Sequence, residues 1–218
     1  MRVKDIAHAC TTTILIHDSL ETIERKFQLS ELEFLPVVNE EGWCYGAILK
    51  TSIQFASPNH FSVNDMLTPL YVSENRHIIE GIRNCIRKNA EGLLLVDEEG
   101  FLMGYVQLKE LFHHFALSSG LMENGSMLIA EIQQNKFSIS EVSKIVESNG
   151  ASILHLYVSM HPEAQFLQIT MILNTSELQD IISSFERFRY TILYSSSSTE
   201  RDDLMKERYN SLMHYLDI

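Results

Sequence analysis

The chain has 218 residues, long for one domain and short for two large ones, and its 45% hydrophobic and 21% charged residues supply a real core, which excludes disorder as its bulk state. A formal charge of −12 and a pI near 5.1 exclude the gripping of DNA or RNA as its main business, because polyanion binding draws on clustered Lys and Arg. No apolar run approaches the roughly 20 residues that cross a bilayer, and the N-terminus lacks a charged-then-apolar leader, so a soluble, cytoplasmic protein with no membrane partner is expected. Cys10, Cys44 and Cys85 are widely spaced and contain no Cys-x-x-Cys pair, which reads as buried free thiols.

In chain order, residues 3–6 and then 14–16 lead to Asp18-Ser19, a cap for a helix with Leu20, Ile23, Phe27 and Leu32 on its inner face. Residues 34–38 and 43–49 are apolar runs on either side of Glu40-Glu41-Gly42, the pattern of a hairpin. The same order then returns. Residues 34–48 and 92–106 match at an offset of 58, which pairs Val38 with Val96, Glu40-Glu41-Gly42 with Glu98-Glu99-Gly100, and Gly46 with Gly104. The segment 63–66 matches 3–6 at an offset of 60, so the copies differ by two residues in a loop. The second copy's helix carries Ile78, Ile79, Ile82, Cys85 and Ile86, and a helix over 108–117 closes the unit.

The repeated strand, helix, strand, strand, helix order, with Val-x-Asp-Ile/Met leading each copy and Leu35-Pro36-Val37-Val38 in the first hairpin, resembles a tandem pair of cystathionine-β-synthase (CBS) domains. The second copy departs in having Leu94 where the first has Pro36. The resemblance implies domains at 1–60 and 61–118.

Small residues over 118–126 suit a linker. Beyond them, residues 127–132, 153–160 and 166–173 read as strands, with a turn at 162–165. Residues 140–148 read as a helix with Val142, Ile145 and Val146 inward, and Gly150 as its left-handed stop. Asn174-Thr175-Ser176 caps a second helix bearing Leu178, Ile181, Ile182 and Phe185, and 190–194 is a last strand. This βαββαβ order over 126–195 is ferredoxin-like, and after a CBS pair it resembles an ACT domain. A final helix over 199–218 has one apolar stripe, Met205, Tyr209, Leu212, Met213 and Leu216. The fold class is thus α+β: a tandem CBS-domain pair, a ferredoxin-like (ACT-like) domain and a C-terminal helix, a combination similar to acetoin-utilisation B-type proteins.

The CBS resemblance implies a binding site rather than a catalytic one. Adenosine ligands such as AMP, ATP or S-adenosylmethionine sit in the cleft of such pairs, served by Gly-x-x-Thr/Ser-x-x-Asp. Its carboxylate accepts hydrogen bonds from the ribose hydroxyls. The first copy carries Gly46, Leu49 and Ser52 at those positions; the second carries Gly104, Gln107 and Glu110, which keeps a carboxylate and is the better candidate. The candidate ligand-binding set is Leu94, Gly104, Gln107, Lys109 and Glu110 with Pro36, Gly46, Lys50 and Ser52. Arg76 and Arg83 read as a solvated face. Where ACT domains have a Pro-Gly step this chain has Lys136-Phe137, which would crowd an amino-acid ligand and favours a pairing role.

Catalytic material is sparse. His113-His114 are adjacent and cannot share one helical face, His155 reads as a satisfied core histidine, and no metal or nucleophile motif is present. The expectation is a non-enzymatic regulatory or ligand-sensing homodimer with no cofactor beyond its regulatory nucleotide. The alternative is a ligand-free interaction protein that acts through dimerisation.

Overall fold

The sequence repeat folds into two matched three-stranded mixed sheets. The computed structural model describes residues 1–54, 56, 61–160 and 165–196, which fall into two units, Met1–Ser118 and Ser119–Ile218. After a 3-10 turn at Val3–Ile6 the first copy comprises β1 (Ile14–Leu15), α1 (Leu20–Gln28), β2 (Phe34–Val38), β3 (Cys44–Leu49) and α2 (Lys50–Ile53). The second comprises α3 (Val63–Met66), β4 (Tyr71–Ser73), α4 (Ile78–Lys88), β5 (Gly92–Val96), β6 (Leu102–Gln107) and α5 (Leu108–Ser118). In each sheet the middle strand, β2 or β5, pairs parallel with the strand before the helix and antiparallel with its hairpin partner. Every residue of both middle strands is buried, as continuous apolar runs require.

Pro36 leaves a local mark. Leu94 donates its N–H to Leu70 O at 2.9 Å, and the parallel pairing of the second copy starts at Leu94. Proline has no N–H to give, and the first copy's pairing starts one residue later, at Val37.

The hairpins match in detail. Each has a bulge at the same place, between Val37 and Val38 and between Leu95 and Val96. At the acidic turns Asn39 Oδ1 accepts from the N–H groups of Glu41 and Trp43, and Asp97 Oδ1 accepts from those of Glu99 and Phe101. Gly42 and Gly100 close these turns at φ near +91° and +92°, a conformation that costs glycine nothing. The two tips bond to each other: Cys44 N donates to Gly100 O, Leu102 N to Gly42 O, and the Trp43 indole N–H to Glu99 O.

Helix ends follow local chemistry, with some departures from the apolar spacing. Ser19 Oγ caps α1 by accepting from Thr22 N, while Ile23 and Phe27 point inward. The helix stops at Gln28, so Leu32 lies beyond it rather than on its inner face. His77 Nδ1 caps α4 and Asn89 ends it in the left-handed conformation. Ile78, Gly81 and Cys85 form its buried face, whereas Ile79 (43% exposed) and Ile86 (67% exposed) face outward. Gly81 permits this packing, because a Cβ there would meet Leu111 methyl carbons at 3.1–3.2 Å.

The core around the second sheet takes in Phe34, Val38, Cys44 and Ala47 from the first copy, so the copies share one apolar interior. Ile14, Ile23, Phe27, Leu35, Val37 and Ile48 form a smaller cluster around the first sheet, which takes in Val63 from the second copy's leading segment. Each fully buried Leu or Ile contributes about 2 kcal/mol relative to exposure.

The second unit comprises β7 (Ser126–Gln133), α6 (Ile139–Ser148), β8 (Ile153–Met160), β9 (Phe166–Leu173), α7 (Gln179–Arg187) and β10 (Thr191–Ser196). Its antiparallel sheet has the order β10-β7-β9-β8, the ferredoxin-like layout. Leu128, Ala130, Ile132, Ile169, Met171 and Leu173 meet Val142, Ile145 and Val146 of α6 and Ile181 and Phe185 of α7. Gly150, at φ +74°, follows α6 as its stop. The expected cap of α7 is different: Thr175 Oγ1 accepts from Glu177 N, Asn174 Oδ1 accepts from Ser152 N, and the helix starts only at Gln179 without a side-chain cap. His155 is half-buried on the sheet-edge strand β8 rather than in the core, and it is satisfied by Ser119 O at 2.8 Å from Nδ1. Residues 161–164 and the apolar stripe of 199–218 lie outside the described residues.

Candidate functional site

Each copy's leading segment crosses to the other copy's hairpin. His8 N donates to Tyr105 O at 2.8 Å and Tyr105 N to His8 O at 2.9 Å; Thr68 N donates to Ala47 O at 2.8 Å and Ala47 N to Thr68 O at 2.9 Å. The crossing explains both repeated glycines beyond the turn. A Cβ on Gly104 would lie 2.4 Å from His8 O, and one on Gly46 would lie 2.6 Å from Thr68 O. Thr68 stands to the second copy as His8 stands to the first, at the offset of 60.

Glu110 lies in the first turn of α5 and is half-buried. Its Oε2 accepts from Gln107 N at 3.1 Å, so the carboxylate satisfies an otherwise orphaned donor at the helix start and is fixed in direction. Its Oε1 stands 2.6 Å from His8 Nε2. The His8 ring lies against that of Tyr105, with centroids 5.6 Å apart, and Phe34 meets Tyr105 edge-on at 6.2 Å. Burial first, then the charge of Glu110, raises the Tyr105 phenol above its ordinary value. Cys10, close in charge coupling to Cys44, is pushed up to about 12, chiefly by burial. His8 and Tyr105 carry no motif of their own. Only the fold brings them beside Glu110.

The other residues singled out by sequence fall in different settings. Leu94 and Pro36 are buried in the middle strands, where Leu94 belongs to the shared core and Pro36 pairs with Ala47. Lys109 is exposed on α5. Lys50 opens α2 and is engaged by Glu33, with Nζ 3.0 Å from Oε1 and its own N–H on Glu33 O. Ser52 is half-buried on α2, one helix later than Gly46, and takes the place that Glu110 holds in the second copy. The structure therefore brings Gly104, Gln107 and Glu110 together with His8 and Tyr105, and groups Gly46 with Ala47 and Thr68. Arg76 pairs with Glu80 one turn along α4, and Arg83 is exposed.

Burial drives the Cys85 thiol up to about 12 and that of Cys44 to about 11. Among the described residues no group of three or more His, Cys, Asp or Glu is placed to hold a metal ion. No described helix is long and apolar enough to cross a membrane.

No family model matches the chain. Among solved structures it is similar to a CBS domain pair/ACT domain protein from Thermotoga maritima, at 18% identity over 54% of this chain and 98% of that one, with a TM-score of 0.48. It is similar to a CBS domain pair in complex with 5′-methylthioadenosine and S-adenosyl-L-methionine, at 21% identity over 53% of this chain and 96% of that one, with a TM-score of 0.47. It is also similar to the CBS domain of a bacterial CNNM/CorC family Mg2+ transporter in complex with ATP, at 18% identity over 53% of this chain and 87% of that one, with a TM-score of 0.46.

Proposed function

We propose that the first unit is a CBS-type pair that senses an adenosine-type ligand, AMP, ATP or S-adenosylmethionine, in the cleft of the pair and through the second copy's motif, and that the chain is a non-enzymatic regulator. The observation that carries this reading is Glu110: a carboxylate aimed by the Gln107 N–H, beside the Gly104 crossing and the Tyr105 phenol. A carboxylate held in a fixed direction, with Oε1 turned away from the Gln107 N–H, suits a ribose hydroxyl as donor. Ligand occupancy would favour one arrangement of the two copies, which requires different affinities for two states. Residues 1–60 and 61–118 are the two CBS domains in this reading, 126–195 an ACT-like domain, and a cytoplasmic homodimer the working assembly. The outward Ile79 and Ile86 on α4 and Phe112 on α5 support a partner surface.

A ligand-free interaction protein acting through dimerisation is the alternative, favoured by the partner that Glu110 already has in His8. Thermal unfolding with AMP, ATP, S-adenosylmethionine and a panel of amino acids separates the two. A ligand at 100 times its dissociation constant stabilises the fold by about 2.7 kcal/mol, and Glu110→Ala removes that gain. No shift with any adenosine compound would leave the interaction protein as the reading.

A further inference from the structure

The two copies build the same backbone crossing, yet only one of them adds a charge contact to it. At Thr68 and Ala47 the paired hydrogen bonds form with no ionisable side chain in either residue, and the position matching Glu110 at the offset of 58 is Ser52, which is not ionisable either. At His8 and Tyr105 the same bonds form, and in addition His8 Nε2 meets Glu110 Oε1 at 2.6 Å. The crossing therefore does not need the His8–Glu110 contact. The His8 and Glu110 side chains are 51% and 33% exposed, so the pair is open at the surface and can be separated by a rotamer change of His8 alone while its backbone stays fixed.

We propose that His8 is an internal cap on the second-copy site: its imidazole holds the carboxylate oxygen that a ribose would use, and a nucleotide must displace it to bind. This rests on the adenosine-site reading above and adds the residue that sets its affinity. The competition is chemical. A ribose hydroxyl and the imidazole Nε2–H are both donors for Oε1, whereas Oε2 is already committed to the Gln107 N–H.

The test is calorimetric titration of the full-length protein with AMP, and in parallel with ATP and S-adenosylmethionine, for wild type, His8→Ala, His8→Gln and Glu110→Ala. Removing a partly exposed competing hydrogen bond should tighten AMP binding by about threefold to tenfold in His8→Ala. His8→Gln, which keeps a donor near the Nε2 position and guards against a fold effect of alanine, should fall between that variant and wild type. Glu110→Ala should bind most weakly. If His8→Ala and wild type bind alike while Glu110→Ala is weakened, the site stands and the cap is overturned. If His8→Ala binds more weakly than wild type, His8 holds the ligand rather than excluding it, and the cap is again overturned. If no variant binds AMP, ATP or S-adenosylmethionine, the site itself falls and the cap falls with it.

Discussion

His8 and Glu110 are 102 positions apart in the chain and 2.6 Å apart in the fold, and the contact joins the first copy's leading segment to the second copy's last helix. Because both side chains are partly exposed, the pair adds little stability. His8→Ala should cost under about 1 kcal/mol in urea unfolding at low salt, and less as salt is raised. A cost above about 2 kcal/mol would mean that the contact is structural, contrary to the comparison with Thr68.

The glycines at the crossings should be far less forgiving. Gly104→Ala puts a Cβ against His8 O, and Gly46→Ala puts one against Thr68 O, both backbone atoms that cannot turn away. Each substitution should destabilise the first unit by more than about 2 kcal/mol. Chemical denaturation checks this, and a loss below about 0.5 kcal/mol for either would mean that the crossing gives way.

Tyr190 supplies a pH dependence in the second unit. It is nearly fully buried, its hydroxyl donates to Glu141 Oε1 at 3.1 Å, and burial followed by that carboxylate holds the phenol above its ordinary value. A raised folded-state value means the stabilisation is fully present below the unfolded value of about 10 and is lost as pH rises beyond it. Tyr190→Phe should cost about 1 kcal/mol at pH 8, and the gap to wild type should narrow between pH 8 and pH 10.5. An unchanged gap would show that the phenol ionises freely in the fold.

Ser126 is fully buried on β7, and among the described residues its hydroxyl has no hydrogen-bond partner. Ser126→Ala removes an uncompensated polar group from the interior, and it should raise stability by about 1 kcal/mol. A measured loss of similar size would reveal a partner for the hydroxyl.

The three thiols should be inert in the native protein. All are raised, to about 12, 11 and 12 for Cys10, Cys44 and Cys85, first by burial in each case. Alkylation at pH 8 should run at least about 100-fold slower in the folded chain than in urea. A fast-reacting equivalent would point to opening of the segment around Cys10, the one thiol that is only half-buried.

Periodicity and repetition carry the parts of this fold that are local or written twice. The hairpins, the acidic turns closed by Gly42 and Gly100, and the α6 face of Val142, Ile145 and Val146 could be read from spacing, because each depends on neighbours within a few residues. What spacing misses is set from a distance. Ile79 and Ile86 fit an apolar stripe on paper, but the close packing of Gly81 on Leu111 turns α4 so that they face outward. Asn174 and Thr175 look like a helix cap until tertiary structure brings Ser152 N–H to Asn174. Within the site, Glu110 could be placed by motif, whereas His8 could not, since a contact between the two copies leaves no pattern in the residues around either partner.

The bonded tips of the two hairpins have a practical consequence. Trp43 is the chain's single tryptophan, and its indole N–H is held by Glu99 O across the seam between the copies, with the Tyr45 ring edge-on at 4.9 Å. Any rearrangement of one copy against the other must change the solvation of that indole. The protein thus carries its own fluorophore at the junction, and emission wavelength or quenching can follow the two halves in real time without a label.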